Sequence, residues 1–121
     1  MAVIVTTPPN SCLTQTSYQL ITNAISKKID LVGVFFYQSG VLNASKFLTM
    51  PNDEFPLQQK WKMLQSEYNV SLYLCSTAAE KHGLIDSENP MKNDLIHKEF
   101  IVSGLGELVE LTLKADRVLQ L

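Results

Sequence analysis

Short apolar runs alternate along the chain with segments whose apolar residues recur every three to four positions. Ala2–Thr6 (AVIVT) is short and rich in β-branched residues, and Pro8 and Pro9 end it, so the first strand falls there. Ser11 or Thr14 can cap a following helix, in which Tyr18, Ile21 and Ile25, flanked by Leu20 and Ala24, make one apolar stripe. Lys27 and Lys28 fall in its last turn, where the helix dipole favours cations. Asp30–Gln38 (DLVGVFFYQ) is almost unbroken apolar sequence, the pattern of a strand covered on both faces, and Gly40 ends it. A short helical turn is expected over Val41–Lys46.

Beyond Asn52, Asp53 and Glu54, helical spacing returns with Leu57, Trp61, Leu64 and Tyr68, and Pro56 suits that helix's first turn. Val70–Leu74 (VSLYL) is a third strand. It runs directly into Cys75 and a short helix, Ser76–His82, with Gly83 as its stop. Leu84–Lys98, with Pro90 and Asn93-Asp94, is the longest loop, with room for one helical turn. Phe100–Val102 is a fourth strand. Ser103-Gly104 then turns into a helix carrying Leu105, Leu108, Val109, Thr112 and Leu113, and Arg117–Leu121 closes the chain as a strand. Strict alternation of strand and helix predicts an α/β fold: one domain over 1–121, three layers (α/β/α), with a five-stranded, mostly parallel sheet.

Composition narrows the functional classes. With 121 residues, 45% hydrophobic and 18% charged, the chain is too apolar for disorder and long enough to bury a core without staples. A net charge of −2 offers no broad basic face, so direct nucleic-acid binding is not expected. Two distant cysteines make neither a disulfide scaffold nor a four-ligand zinc site, and they suit a reducing compartment. MAVIVTT lacks a basic lead-in and a cleavage site, and no apolar run approaches the roughly 20 residues of a membrane span. The expectation is a soluble cytoplasmic protein.

Candidate chemistry centres on Cys75, at the junction of the third strand with a helix. The first-turn N–H groups of a helix lack partners and carry the positive end of its dipole, so a thiolate there is stabilised below the free value of about 8.5. Ser76 and Thr77 are candidate anion supports, chiefly through their backbone N–H groups. A cysteine in apolar surroundings is more commonly a small buried hydrophobe; against that, strand-to-helix turns at the carboxyl edge of a parallel sheet open to solvent and gather ligand sites near a change in strand order.

The other candidates have simpler readings. Cys12, in the first loop, is either an idle thiol or a resolving partner for Cys75. His82 lies about two helical turns from Cys75, too far for a pair, and reads as a dipole-stabilised helix end. His97 reads as solvated, with a partner contact open. Asp53 and Glu54 read as helix-capping acids, again with a partner contact open. Gly104-Leu105-Gly106 lacks the spacing of a phosphate loop. Trp61 reads as core, while Phe35, Phe36 and Tyr37 form an apolar block of which one or two residues can face a neighbouring subunit.

Four blocks, VGVFFYQSGVLNAS, PNDEFPL, LYLCSTAAEKHGLI and SGLGELVELTLKADRVLQL, together resemble the DsrE/TusD family of sulfur-relay proteins across essentially the whole chain. The resemblance implies a flavodoxin-like subunit that carries sulfur as a persulfide on Cys75, with no metal or other cofactor. It implies TusB-like and TusC-like subunits in a heterohexamer built as a dimer of trimers, a TusA-like sulfur donor and a TusE-like acceptor. The implied outcome is 2-thiouridine in tRNA. TTPPNSCLTQ departs from the glycine-bearing first loop of that family. Two alternatives stay open: a structural subunit with an inert cysteine, and a DsrE-type subunit working in sulfur oxidation. A flavin or nucleotide binder lacks support, since no Gly- or Ser/Thr-rich phosphate loop follows the first strand.

Overall fold

All five strands run parallel in the computed structural model, which describes residues 1–48, 55–89 and 94–121. Asn52, Asp53, Glu54, Pro90 and Asn93 lie outside the described residues. The strands are β1 (Ala2–Val5), β2 (Gly33–Phe36), β3 (Leu72–Cys75), β4 (Phe100–Ser103) and β5 (Val118–Gln120), in spatial order β4-β3-β2-β1-β5. Between them lie α1 (Cys12–Ser26), a 3-10 turn (Gln38–Ala44), α2 (Leu57–Tyr68), α3 (Ser76–Lys81) and α4 (Leu105–Lys114).

The strand order dictates the layers. Connections from β1 to β2 and from β2 to β3 step the same way across the sheet, so right-handed crossovers put α1 and α2 on one face; the return from β4 to β5 puts α4 on the other. Packing agrees. Tyr18 of α1 meets Trp61 of α2 edge-on at 5.4 Å, and Trp61 meets Phe36 of β2 at 5.1 Å. On the opposite face Gly33 makes room for α4: a Cβ there would lie 3.1 Å from both Leu111 and Tyr73. Trp61, Phe35, Phe36, Leu72 and Leu74 are fully buried at the centre.

Several local expectations shift. Only Gly33–Phe36 of the long apolar run pairs as strand; Asp30–Val32 is lead-in, tied by the Val32 amide to the Met1 carbonyl at 2.8 Å. Helix α1 ends at Ser26. Lys27 is its C-cap and Lys28 takes a left-handed φ of 58°, so both lysines lie past the last turn. Ser11 is the N-cap and accepts from the Leu13 amide, whereas Thr14 is buried with its Oγ1 2.6 Å from the Pro8 carbonyl. The turn expected over Val41–Lys46 begins earlier, at Gln38. The described part of Leu84–Lys98 holds an antiparallel bridge between Ser45 and Ile96 rather than a helical turn. Gly83 follows α3 with φ 72°, as its stop position requires.

One face stays thinly covered. Leu111 is the only buried residue of α4, while Leu105, Val109 and Leu113 are exposed along it and Ile101 is exposed on β4. Among the described residues no helix is long and apolar enough to cross a membrane.

Candidate active site

Cys75 is both the last residue of β3 and the N-cap of α3, with extended backbone angles (φ −65°, ψ 118°). In register it pairs with Ser103 at the end of β4. Side chains alternate along a strand, and Tyr73 packs at Gly33 beside Leu111, so Cys75 and Ser103 point to the α4 side of the sheet. There Cys75 lines a cavity of about 350 Å³. Tyr37, Gln38 and Ser39 bound it from β2 and the 3-10 turn, Thr77, Ala78, Lys81 and His82 from α3 and its C-cap, and Leu105 from α4.

The expectation of a solvent-open junction needs correcting. Cys75 is 1% exposed, because the 3-10 turn and Leu105 fold over the strand end. Any group exchanged with Cys75 has to pass through the cavity. The chemistry of that cavity favours an anion: among the described residues Lys81 and His82 line it, and no carboxylate does. Thr77 lines it too. Ser76, half-buried, is not among the lining residues, so of the two candidate anion supports only Thr77 is brought to the thiol's cavity.

The 3-10 turn is held in place by buried polar bonds. Asn43, 1% exposed, donates from Nδ2 to the Gly40 carbonyl at 2.8 Å and to the Thr7 carbonyl at 3.1 Å, while its Oδ1 accepts from Trp61 Nε1 at 3.1 Å. Gly40 lies against β1 so closely that a Cβ would sit 2.0 Å from the Val5 carbonyl oxygen. Gln38, at the cavity rim, takes a left-handed φ of 52°, a conformation non-glycine residues adopt at some cost.

Cys12 is exposed at the start of α1 and does not line the Cys75 cavity. With β2 and the 3-10 turn standing between the ends of β1 and β3, the structure does not bring the two thiols together. His82 does share the cavity. The sequence held the signal: residues 75, 78 and 82 are spaced three and four apart, which places them on one helical face, and the distance of two turns obscured it. Cys75 also lies away from the change in strand order, which falls between β1 and β5. A larger cavity, about 710 Å³, runs along α1 and β5 past Leu20, Ala24, Lys27, Arg117 and Leu119, but among the described residues no thiol lines it.

His97 is half-buried rather than solvated, and its Nε2 is closed off from water with no hydrogen-bond partner among the described residues. Burial, with Lys62 nearby, pushes its pKa below the ordinary histidine value. A histidine depressed in the folded state binds its proton more readily when unfolded, so stability rises with pH until the unfolded-state pKa, about 6.5, is passed. Thermal unfolding followed from pH 7 to 5 is expected to show a falling Tm, with a shallower slope in His97→Gln; parallel slopes would show that His97 contributes nothing to it.

A parallel α/β sheet that ends its third strand in a cysteine, beside a small cation-lined cavity, is a frame in which a thiol can accept and pass on a group. Comparison with known proteins places it more narrowly: the chain belongs to the DsrE/DsrF-like family, whose family model matches residues 1–121. A sulfurtransferase TusD homolog of Pasteurella multocida is 38% identical over 105 residues, covering 84% of this chain and 82% of that protein. The sulfurtransferase TusD of Pectobacterium atrosepticum is 42% identical over 94 residues, covering 74% and 73%, and a putative sulfurtransferase DsrE of Allochromatium vinosum is 34% identical over 106 residues, covering 84% and 82%. Among solved structures, the ychN protein from E. coli superposes with a TM-score of 0.78 at 27% identity, covering 99% of this chain and 97% of that one.

Proposed function

We propose that the protein is a sulfurtransferase that carries sulfur as a persulfide on Cys75 and hands it to a cysteine of an acceptor protein, in the relay that ends in 2-thiouridine of tRNA. The observation that carries this reading is the coincidence of the thiol with the cavity: Cys75 lines it together with Lys81 and His82 and, among the described residues, no carboxylate. The thiolate attacks the outer sulfur of a donor persulfide. A bond forms from Cys75 Sγ to that sulfur, the donor's S–S bond breaks, and the donor leaves as its thiolate. One sulfur atom moves with its proton, and no outside oxidant or reductant is consumed. The reverse-facing step, attack by the acceptor thiolate on the Cys75 persulfide, has the same balance.

A subunit role fits the surface. Leu105, Val109 and Leu113 of α4, with Ile101 of β4, leave an apolar strip next to the cavity mouth that a lone chain would expose to water. TusB-like and TusC-like subunits are the proposed neighbours, with a TusA-like donor and a TusE-like acceptor. A second reading is a DsrE-type subunit in which the same exchange serves sulfur oxidation; a relative is named a putative sulfurtransferase DsrE, and the identity of the acceptor protein separates this reading from the first.

Incubation with a cysteine desulfurase, free cysteine and a relay donor is expected to raise the intact mass by about 32 Da, one sulfur atom, and the gain should disappear on reduction. A chain that never gains the mass under conditions that load the donor is a structural subunit, the alternative with an inert thiol.

A further inference from the structure

Ser103 stands directly across from Cys75 in the parallel ladder, where neighbouring strands are about 4.8 Å apart. Its Oγ is closed off from water and has no hydrogen-bond partner among the described residues. A buried hydroxyl normally finds a partner, and leaving one unpaired is costly. Paired residues in a parallel ladder project to the same side, so the orphaned hydroxyl and the thiol share the α4 side at the strand ends. Both side chains are short, and rotation about χ1 is enough to bring Oγ toward Sγ.

We infer that Ser103 is the hydrogen-bond donor to the Cys75 thiolate: its hydroxyl, without a partner among the described residues, donates to sulfur when the thiol is ionised. A donor to a charged acceptor contributes about twice what a neutral pair does, and it favours the ionised form of the group it serves. The persulfide reading stands behind the functional meaning of this bond, though the bond itself is a property of the free thiol. Other titratable side chains lining the cavity are Tyr37 from the end of β2, with Lys81 and His82 from α3 and its C-cap. Ser103 is not a lining residue of the cavity; it approaches Cys75 from the neighbouring strand, through the ladder.

The test is the thiolate absorbance near 240 nm followed against pH in a Cys12→Ser background, with the Cys12→Ser/Cys75→Ser curve subtracted to remove tyrosine. Ser103→Thr and Ser103→Val are close in shape, and only the first keeps the hydroxyl. Ser103→Val is expected to move the Cys75 titration upward by about one pH unit, a tenfold smaller thiolate population at a fixed pH below the midpoint. Ser103→Thr should titrate near the wild-type position. Superimposable curves for Thr and Val overturn the inference. Because the titration uses no sulfur donor, it is independent of the relay: a shifted Val curve in a protein that never accepts sulfur would reject the proposed function and leave the hydrogen bond standing.

Discussion

Cys75→Ser is expected to reduce sulfur loading and transfer to background while leaving the fold intact. Serine differs from cysteine by one atom, so the site, 1% exposed, keeps its shape; the hydroxyl it buries costs about 1–3 kcal/mol where it finds no partner. The chemistry, however, is lost altogether. A serine hydroxyl is not ionised near neutral pH and holds no sulfane sulfur, whereas the thiolate is the species that attacks a persulfide. Transfer from a loaded donor, measured beside a thermal melt, should show no turnover in a protein that still melts cooperatively, at a somewhat lower temperature than wild type. Cys12→Ser is the control. Its thiol is exposed and lies off the cavity, so that variant should load like wild type. Transfer persisting in Cys75→Ser would move the chemistry to another residue.

Gly40→Ala is expected to be the most damaging change in the molecule for its size. The added carbon would sit 2.0 Å from the Val5 carbonyl oxygen and 2.8 Å from the Val5 carbonyl carbon, both backbone atoms of a central strand. No side-chain rotation relieves such a contact; the 3-10 turn has to lift. Overpacking of a core ordinarily costs about 1–3 kcal/mol, and a clash with backbone belongs at the upper end or beyond. Lifting the turn also strains the Asn43 bonds to Gly40, Thr7 and Trp61 and moves Gln38 and Ser39, which bound the Cys75 cavity. Urea unfolding should therefore show an unfolding free energy lower by about 3 kcal/mol, read as a reduced midpoint at unchanged slope, together with slowed sulfur transfer. A midpoint within error of wild type would mean that β1 and the turn yield to each other, contrary to the packing described.

Much of this was legible in the residue pattern because burial and periodicity are local signals. The uninterrupted Val34-Phe35-Phe36 run identified a strand covered on both faces, and those residues are fully buried. The spacing of Leu57, Trp61 and Leu64 gave the buried face of α2, but Tyr68, expected on the same face, is exposed at the helix end. Gly83 stopped α3, and the order of elements gave the layers. What escaped was tertiary. Nothing in YLCSTA says that a turn from residues 38–44 folds over the thiol. Nor does Ser103, a turn residue on the page of the sequence, reveal that β4 pairs with β3 in the register that sets it opposite Cys75. His82 looked too remote until the cavity was seen to run along one face of α3. His97 looked solvated because it sits in a largely polar stretch, whereas its amide donates to the Ala44 carbonyl far along the chain and its Nε2 is closed off from water. Charge misled in one further place: Lys27 and Lys28 suit a helix end by rule, yet the chain leaves α1 one residue before them.

The most direct measurement is peptide-level mass spectrometry of the protein after loading, which shows where the extra sulfur sits. The account predicts that the added mass of about 32 Da is found on the peptide containing Cys75 and vanishes with a reductant. Added sulfur confined to the Cys12 peptide, or found on neither while the donor stays loaded, would contradict it.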